Sequence, residues 1–286
     1  MNLHHLKYFF DAARLNSISK AAKGNLVGQP AISKAIKSLE DELGVKLILH
    51  ERNRFNLTDE GVNAYKYGQG VFDSIEKLKD SLDSKSLVTG EVLFACQSSM
   101  AESAFLSKAI KKIINKYPGL YPNLSLGRTD LVRSWLQAGK IDLAIVINNR
   151  DFNDFHAELV STGNFYLVKG KDYKGNWKSQ GILATDETKE LTQLRHKFLT
   201  LNEHELKNQM MIGSWGVIKN FALQGIGVGF VPDYLIQKEI KNGQLKYVEK
   251  NKYSVPYEII IITPKNKYIS SKVKIVINEI LHKKID

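Results

Sequence analysis

The chain has 286 residues, 43% of them hydrophobic and 25% charged, which suits a soluble globular protein of more than one domain. No run of about 18 apolar residues is present, and the opening "MNLHHLKYFF" lacks the basic, apolar and small-residue succession of a signal peptide; neither a transmembrane helix nor secretion is expected. The single cysteine, Cys96, excludes an intrachain disulfide and fits the reducing cytoplasm.

The net charge of +11 invites a nucleic-acid reading, but its distribution does not favour the N-terminal third. Residues 1–89 hold 13 Lys+Arg against 11 Asp+Glu, and the remainder 28 against 19. With 34 lysines to 7 arginines, the excess reads as a lysine-rich solvated surface.

In chain order, Leu3, Leu6, Phe10 and Ala13 recur at helical spacing and predict a first helix, broken by Asn16 and Ser17. Ser19 can cap a short second helix, "KAAKGN", whose Ala21 and Ala22 permit close packing. Leu26 and Val27 read as an apolar turn. A third helix, within "GQPAISKAIKSLEDELG", buries a stripe of Ile32, Ile36, Leu39 and Leu43. Gly28 takes its N-cap, Pro30 its first turn, and Gly44 its stop. Leu47–Leu49 and Phe55–Leu57 then predict two short strands about a polar turn, a wing, and Thr58 caps a long helix to about Asp83. Val62, Tyr65, Phe72, Ile75, Leu78 and Leu82 give that helix an apolar seam expected to pair with a second copy, although Gly68 and Gly70 weaken it. "SKSLVTG", 84–90, is the hinge.

From Glu91 strands and helices alternate, which predicts a parallel, doubly wound sheet in two lobes, closed by a last helix from Ser270 to Lys284. The histidines are scattered, no metal-ligand spacing occurs, and no G-x-S-x-G elbow is present. "GIGVGF", 225–230, follows a helix and enters a strand, the reverse of a dinucleotide fingerprint, so its glycines read as packing devices.

The face of the third helix opposite its apolar stripe carries Gln29, Pro30, Ser33, Lys34 and Lys37. Small residues near a helix N-terminus permit close approach to a groove, amides read base edges, and cations meet phosphates. Ser19 on the preceding helix and Arg52 and Arg54 on the wing extend this face, which is assigned to double-stranded DNA.

These residues resemble the LysR-type transcriptional regulators. Ala21-Ala22, Leu26, Gln29-Pro30-Ala31, Ser33, Leu39-Glu40 and Leu43-Gly44 fall at family spacing, and Leu57-Thr58 with Gly61 closes the wing similarly. Tyr117-Pro118, Gly139 to Ala144, and Gly225 to Val228 with Pro232 resemble landmarks of the family's effector domain. Three stretches depart from it: Gly28 where a serine is usual, His50 where an arginine is usual, and "GKDYKGNW" in place of a His-Pro-Leu-Ala-like segment.

The resemblance implies an α/β chain with an N-terminal winged helix-turn-helix over 1–61, a linker and dimerisation helix with hinge over 62–90, and a two-lobed periplasmic-binding-protein-like effector domain over 91–286. Lobe I would take 91–159 and 265–286, and lobe II 160–264. It further implies a homodimer or homotetramer on an interrupted palindrome, a small-molecule effector in the interlobe cleft, contact with RNA polymerase, no cofactor and no catalysis. Positions lining that cleft would be Ser98, Ser99, Met100, Thr129, Asn148, Ser214 and Trp215. Ser98 and Ser99 suit either a carboxylate or ordinary N-capping, and Trp215 either an aromatic wall or core packing. An enzymatic α/β protein and a non-specific DNA-packaging protein are the competing classes; missing catalytic constellations weigh against the first, and the near-neutral N-terminal segment against the second.

Overall fold

The computed structural model describes residues 1–51, 54–82, 88–186, 188–265 and 267–281, with the side chains of 50, 51 and 54 excepted. The chain folds into an N-terminal unit and a larger second unit.

In the N-terminal unit, α1 (Leu3–Leu15), α2 (Ile18–Gly24) and α3 (Gln29–Leu43) precede β1 (Ile48–Glu51), β2 (Arg54–Leu57) and α4 (Asp59–Leu82). Ser17, not Ser19, caps α2: it is extended at φ −169°, and its Oγ accepts the N–H of Lys20. Ser19 is the second residue of α2 and faces solvent. The inner face of α1 is Leu6, Phe9, Ala12 and Ala13; Leu3 is exposed, and Phe10 turns towards α4. Ile32, Ile36 and Leu39 of α3 join this core, each worth about 1.5–3 kcal/mol of apolar burial, whereas Leu43 stays outside.

The turn before α3 differs from the expectation. Leu26 is 94% exposed at φ 55°, while Val27 alone packs against the core. Asn25 fixes the turn instead, donating to Asp11 Oδ2 at 2.8 Å and to the Ala21 carbonyl at 2.9 Å. Burial would raise the Asp11 pKa, but hydrogen bonds from Lys7 and Asn25, together with Arg14, hold it below the usual carboxylate range.

The wing is an antiparallel hairpin pairing Ile48 with Leu57 and Glu51 with Arg54. Thr58 locks its base: Oγ1 donates to the Lys46 carbonyl at 2.6 Å and accepts the Gly61 N–H at 2.9 Å. A Cβ on Gly61 would overlap the Leu47 carbonyl, so only glycine lets α4 start here. The seam of α4 is shared rather than continuous. Tyr65 stacks on Phe10 at 4.7 Å and Phe72 meets it edge-on at 5.1 Å, while Val62, Leu78 and Leu82 remain exposed. Gly68, expected to weaken this helix, makes room for the Phe10 ring.

The second unit begins with β3 (Gly90–Cys96), α5 (Ser98–Ala101), α6 (Ala104–Lys116), β4 (Leu120–Leu126), α7 (Thr129–Gln137) and β5 (Leu143–Ile147). It continues with β6 (Phe155–Gly170), α8 (Trp177–Gln180), β7 (Ile182–Ala184), α9 (Lys189–Asn202), β8 (Asn208–Met211), α10 (Trp215–Leu223) and β9 (Val228–Pro232). After a 3-10 turn (Asp233–Leu235) come α11 (Gln237–Lys241), β10 (Leu245–Tyr247), α12 (Lys250–Tyr253), β11 (Val255–Pro264) and α13 (Ser271–Ile280).

These strands form one mixed sheet, β4-β3-β5-β11-β6-β9-β7-β8, with β10 on β6. It is not the parallel sheet expected. β3 pairs in parallel with β4 and β5, and β7 with β8 and β9, but β11 and β6 run antiparallel to each other and to their outer neighbours. These two long strands pass from one lobe to the other, with a register shift between Ile259 and Ile260. Lobe I is closed by α13, whose buried Glu279 pairs with Lys112 at 2.5 Å and Lys116 at 3.1 Å on α6. Gly225 lies just beyond the end of α10 at φ 73°, and a Cβ on Gly227 would crowd the side chains of Gln209 and Leu183, the helix-ending and close-approach roles anticipated for "GIGVGF". Residues 84–87 of the expected hinge and 282–284 of the expected last helix lie outside the described residues.

Candidate DNA-binding face and effector cleft

α3 enters without a side-chain cap. Gly28 holds φ −74° and ψ 150°, an ordinary extended conformation, and a Cβ there would meet only Pro30 Cδ at 3.5 Å. Gln29, Pro30, Ser33, Lys34 and Lys37 are all exposed along one side of the helix. Gln29 Nε2 donates to Ser19 Oγ, which ties the start of α3 to the outer face of α2. Thus five residues of the predicted face share a helix surface, and Ser19 stands beside them through its bond to the first. Arg52 and the side chain of Arg54 lie outside the described residues.

In the second unit, chain order places the ends of several parallel strands at one opening. Gln97 to Ser99 follow β3, Gly127 to Asp130 follow β4, and Asn149 and Arg150 follow β5. From lobe II, Thr185 and Asp186 follow β7, and Gly213 to Trp215 follow β8. Together they enclose a cavity of about 270 Å³. A cleft beyond the carboxyl ends of parallel strands, where neighbouring connections leave in opposite directions, is the expected ligand position in an α/β sheet.

Five of the seven residues predicted for the cleft line this cavity. Ser98 is exposed within it. Ser99 is buried, its hydroxyl 3.3 Å from that of Tyr234 in lobe II, so it joins the lobes. Burial drives the Tyr234 phenol well above the ordinary tyrosine range and keeps it neutral. Thr129 opens α7 and accepts Gln97 Nε2 at 2.8 Å. Ser214 caps α10 through the N–H of Val217 at 3.5 Å. Trp215 borders the cavity and packs edge-on against Phe165 at 5.1 Å.

The other two predicted residues are elsewhere. Met100 is wholly buried in the core beneath α5. Asn148 turns away, donating to Glu258 Oε2 at 2.8 Å beside a separate depression. Its neighbour Asn149 faces the cavity, because adjacent positions at a strand end point to opposite sides. Sequence reasoning also missed Arg128, Arg150, Asp130 and Asp186. Arg128 pairs with Asp186 of the opposite lobe, and Arg150 Nε lies 3.7 Å from Asp130 Oδ1. Arg128 alone carried a signal, a charged residue directly after the run "NLSLG", 123–127. Cys96, at the end of β3, is buried, and burial pushes its thiol up to about 12.

Among the described residues no group of His, Cys, Asp and Glu could hold a metal ion, and no helix is long and apolar enough to cross a membrane. Residues 3–62 match the model of the bacterial regulatory helix-turn-helix protein, lysR family, and residues 85–284 that of the LysR substrate binding domain. A probable RuBisCO transcriptional regulator of Porphyra purpurea is 25% identical, over 98% of this chain and 93% of its own. Among solved structures, a full-length OxyR variant from Pseudomonas aeruginosa shares the fold with a TM-score of 0.73 at 18% identity, covering 98% of this chain and 94% of that one. Vibrio fischeri DarR in complex with DNA does so with a TM-score of 0.57 at 18% identity, covering 99% of each. The two matches together span the helix-turn-helix unit and the two-lobed domain around its cleft, and they place this chain in the LysR family of DNA-binding transcriptional regulators with an effector-binding domain.

Proposed function

We propose that the chain acts in the cytoplasm as a homodimer or homotetramer on an interrupted palindrome near a promoter. In this reading α3 enters the major groove with Gln29 and Ser33 at base edges and Lys34 and Lys37 at phosphates. The exposed polar face of α3 carries the proposal. Val62, Leu78 and Leu82, left exposed along α4, supply apolar surface for a second copy and hence for a two-fold site. That the DarR structure of this fold holds DNA supports a DNA partner.

A small molecule bound between the lobes completes the reading. It favours one arrangement of the assembly over another, and RNA polymerase responds to the difference; the effector must bind the two arrangements unequally to do this. The chain acts here as a regulator and not as an enzyme. Footprinting against palindromic promoter fragments, with random duplex as competitor at physiological salt, tests the DNA half. Saturable protection of one site is expected, and equal affinity for random DNA refutes it. A cleft-filling Ser214→Trp variant tests the effector half: it should still bind DNA but lose any ligand-induced rise in Tm.

A further inference from the structure

We infer that the effector is a small zwitterion, carrying one carboxylate and one protonated nitrogen, that inserts between Arg128 and Asp186. The inference rests on the cleft being the effector site.

Arg128 belongs to lobe I and Asp186 to lobe II, and their side chains form an ion pair across the opening. A simple anion drawn to Arg128 faces the Asp186 carboxylate as a like charge, whether or not it displaces it. A simple cation meets the mirror problem at Arg128. Only a ligand with both charges replaces each half of the pair and leaves nothing unneutralised. The second pair, Arg150 with Asp130, leaves the charged side chains of the lining balanced, two arginines against two aspartates.

The polar floor points the same way. The helices α7, α9 and α10 begin at this cavity with Thr129, Thr188 and Ser214–Trp215, and their positive ends suit a carboxylate. A carboxylate, however, offers no donor. Gln97 Oε1 and Asn149 Oδ1 are buried acceptors without a hydrogen-bond partner, and Asn149 is only 9% exposed. Buried acceptors require donors, and an ammonium group brings three. The cavity of about 270 Å³ holds a molecule of roughly ten non-hydrogen atoms, the size of an amino acid.

The test uses the full chain, with calorimetry and thermal melting against matched triplets: an α-amino acid, the acid lacking its amino group, and the amine lacking its carboxylate. For at least one side chain the zwitterion should bind at least tenfold more tightly than either truncated partner. Asp186→Asn should abolish the preference over the deaminated acid, and Arg128→Gln the preference over the amine. Both positions lie on the solvent-facing rim, and melting of the unliganded variants verifies that they fold. Equal binding of the deaminated acid and the amino acid to the wild type overturns the inference. So does a metabolite extract that raises the Tm of the wild type, but not of Ser214→Trp, while every zwitterion stays silent; the cleft reading then survives without the zwitterion. If neither triplets nor extract act at the cleft, both readings fall.

Discussion

The Glu40 carboxylate, in the last turn of α3, accepts the backbone N–H of Leu47 at 2.8 Å and of Ile48 at 3.2 Å. Its second oxygen takes Lys46 Nζ at 2.9 Å. One buried side chain thereby joins α3 to the wing. Glu40→Ala strands two backbone donors and is expected to destabilise the N-terminal unit by about 3 kcal/mol, read from urea unfolding.

The same carboxylate predicts a pH dependence. Burial alone would raise its pKa, but the hydrogen bonds from Lys46, Leu47 and Ile48 outweigh burial and hold it below the usual glutamate value. A depressed folded-state pKa contributes stability that is complete above the unfolded value, about 4.3, and is lost as pH falls through the folded value. The gap in stability between wild type and Glu40→Ala should therefore be full at neutral pH and shrink in acid below that value. A gap that widens in acid contradicts this assignment.

On the exposed side of α3, base-reading and phosphate-binding residues should fail differently. Gln29→Ala and Ser33→Ala are expected to weaken binding to the preferred site by about tenfold or more each, with little change on random duplex. Lys34→Ala should weaken both equally and lower the salt slope by about 1. Titrations at three salt concentrations separate the two patterns.

Gly28 offers a gain of function. Its extended backbone and open surroundings accept a serine without strain. Gly28→Ser should cap α3, raise stability by a few tenths of a kcal/mol and tighten DNA binding through a hydroxyl on phosphate. A lower Tm would show that the open space around Gly28 is needed.

Cys96 should be inert. Buried, with its thiol pushed up to about 12, it holds almost no thiolate near neutral pH. A thiol reagent should label it only after denaturation, and oxidant treatment should leave DNA binding unchanged.

Periodicity and caps made the N-terminal unit legible, because each helix there buries one stripe within a few dozen residues. Errors arose where two residues competed for one role. Ser17 and Ser19 can both cap, and the extended backbone at Ser17 decided it. Asn25 and Leu26 are adjacent, and Asn25 closed the turn because Asp11, from another helix, awaited a donor. In the second unit the alternation of strands and helices was legible but strand direction was not: an apolar run reads alike in either sense, and β11 returns between β5 and β6 only in three dimensions. The cleft was found on its serines and Thr129 and missed on its ion pairs, since Arg128 and Asp186 meet across lobes whose distance in sequence hides them.

The partnership of β6 and β11 also sets an order of assembly. Phe155 pairs with Pro264 and Ile147 with Ile259, so lobe I acquires its central strand only after all of lobe II has been made. Pairings so distant along the chain close slowly, whereas the helices of the N-terminal unit meet through local contacts. During synthesis the helix-turn-helix can fold while the cleft does not yet exist. Each new molecule can thus complete its DNA-binding unit before it has a cleft for an effector, and that interval lengthens with every residue inserted between the two strands.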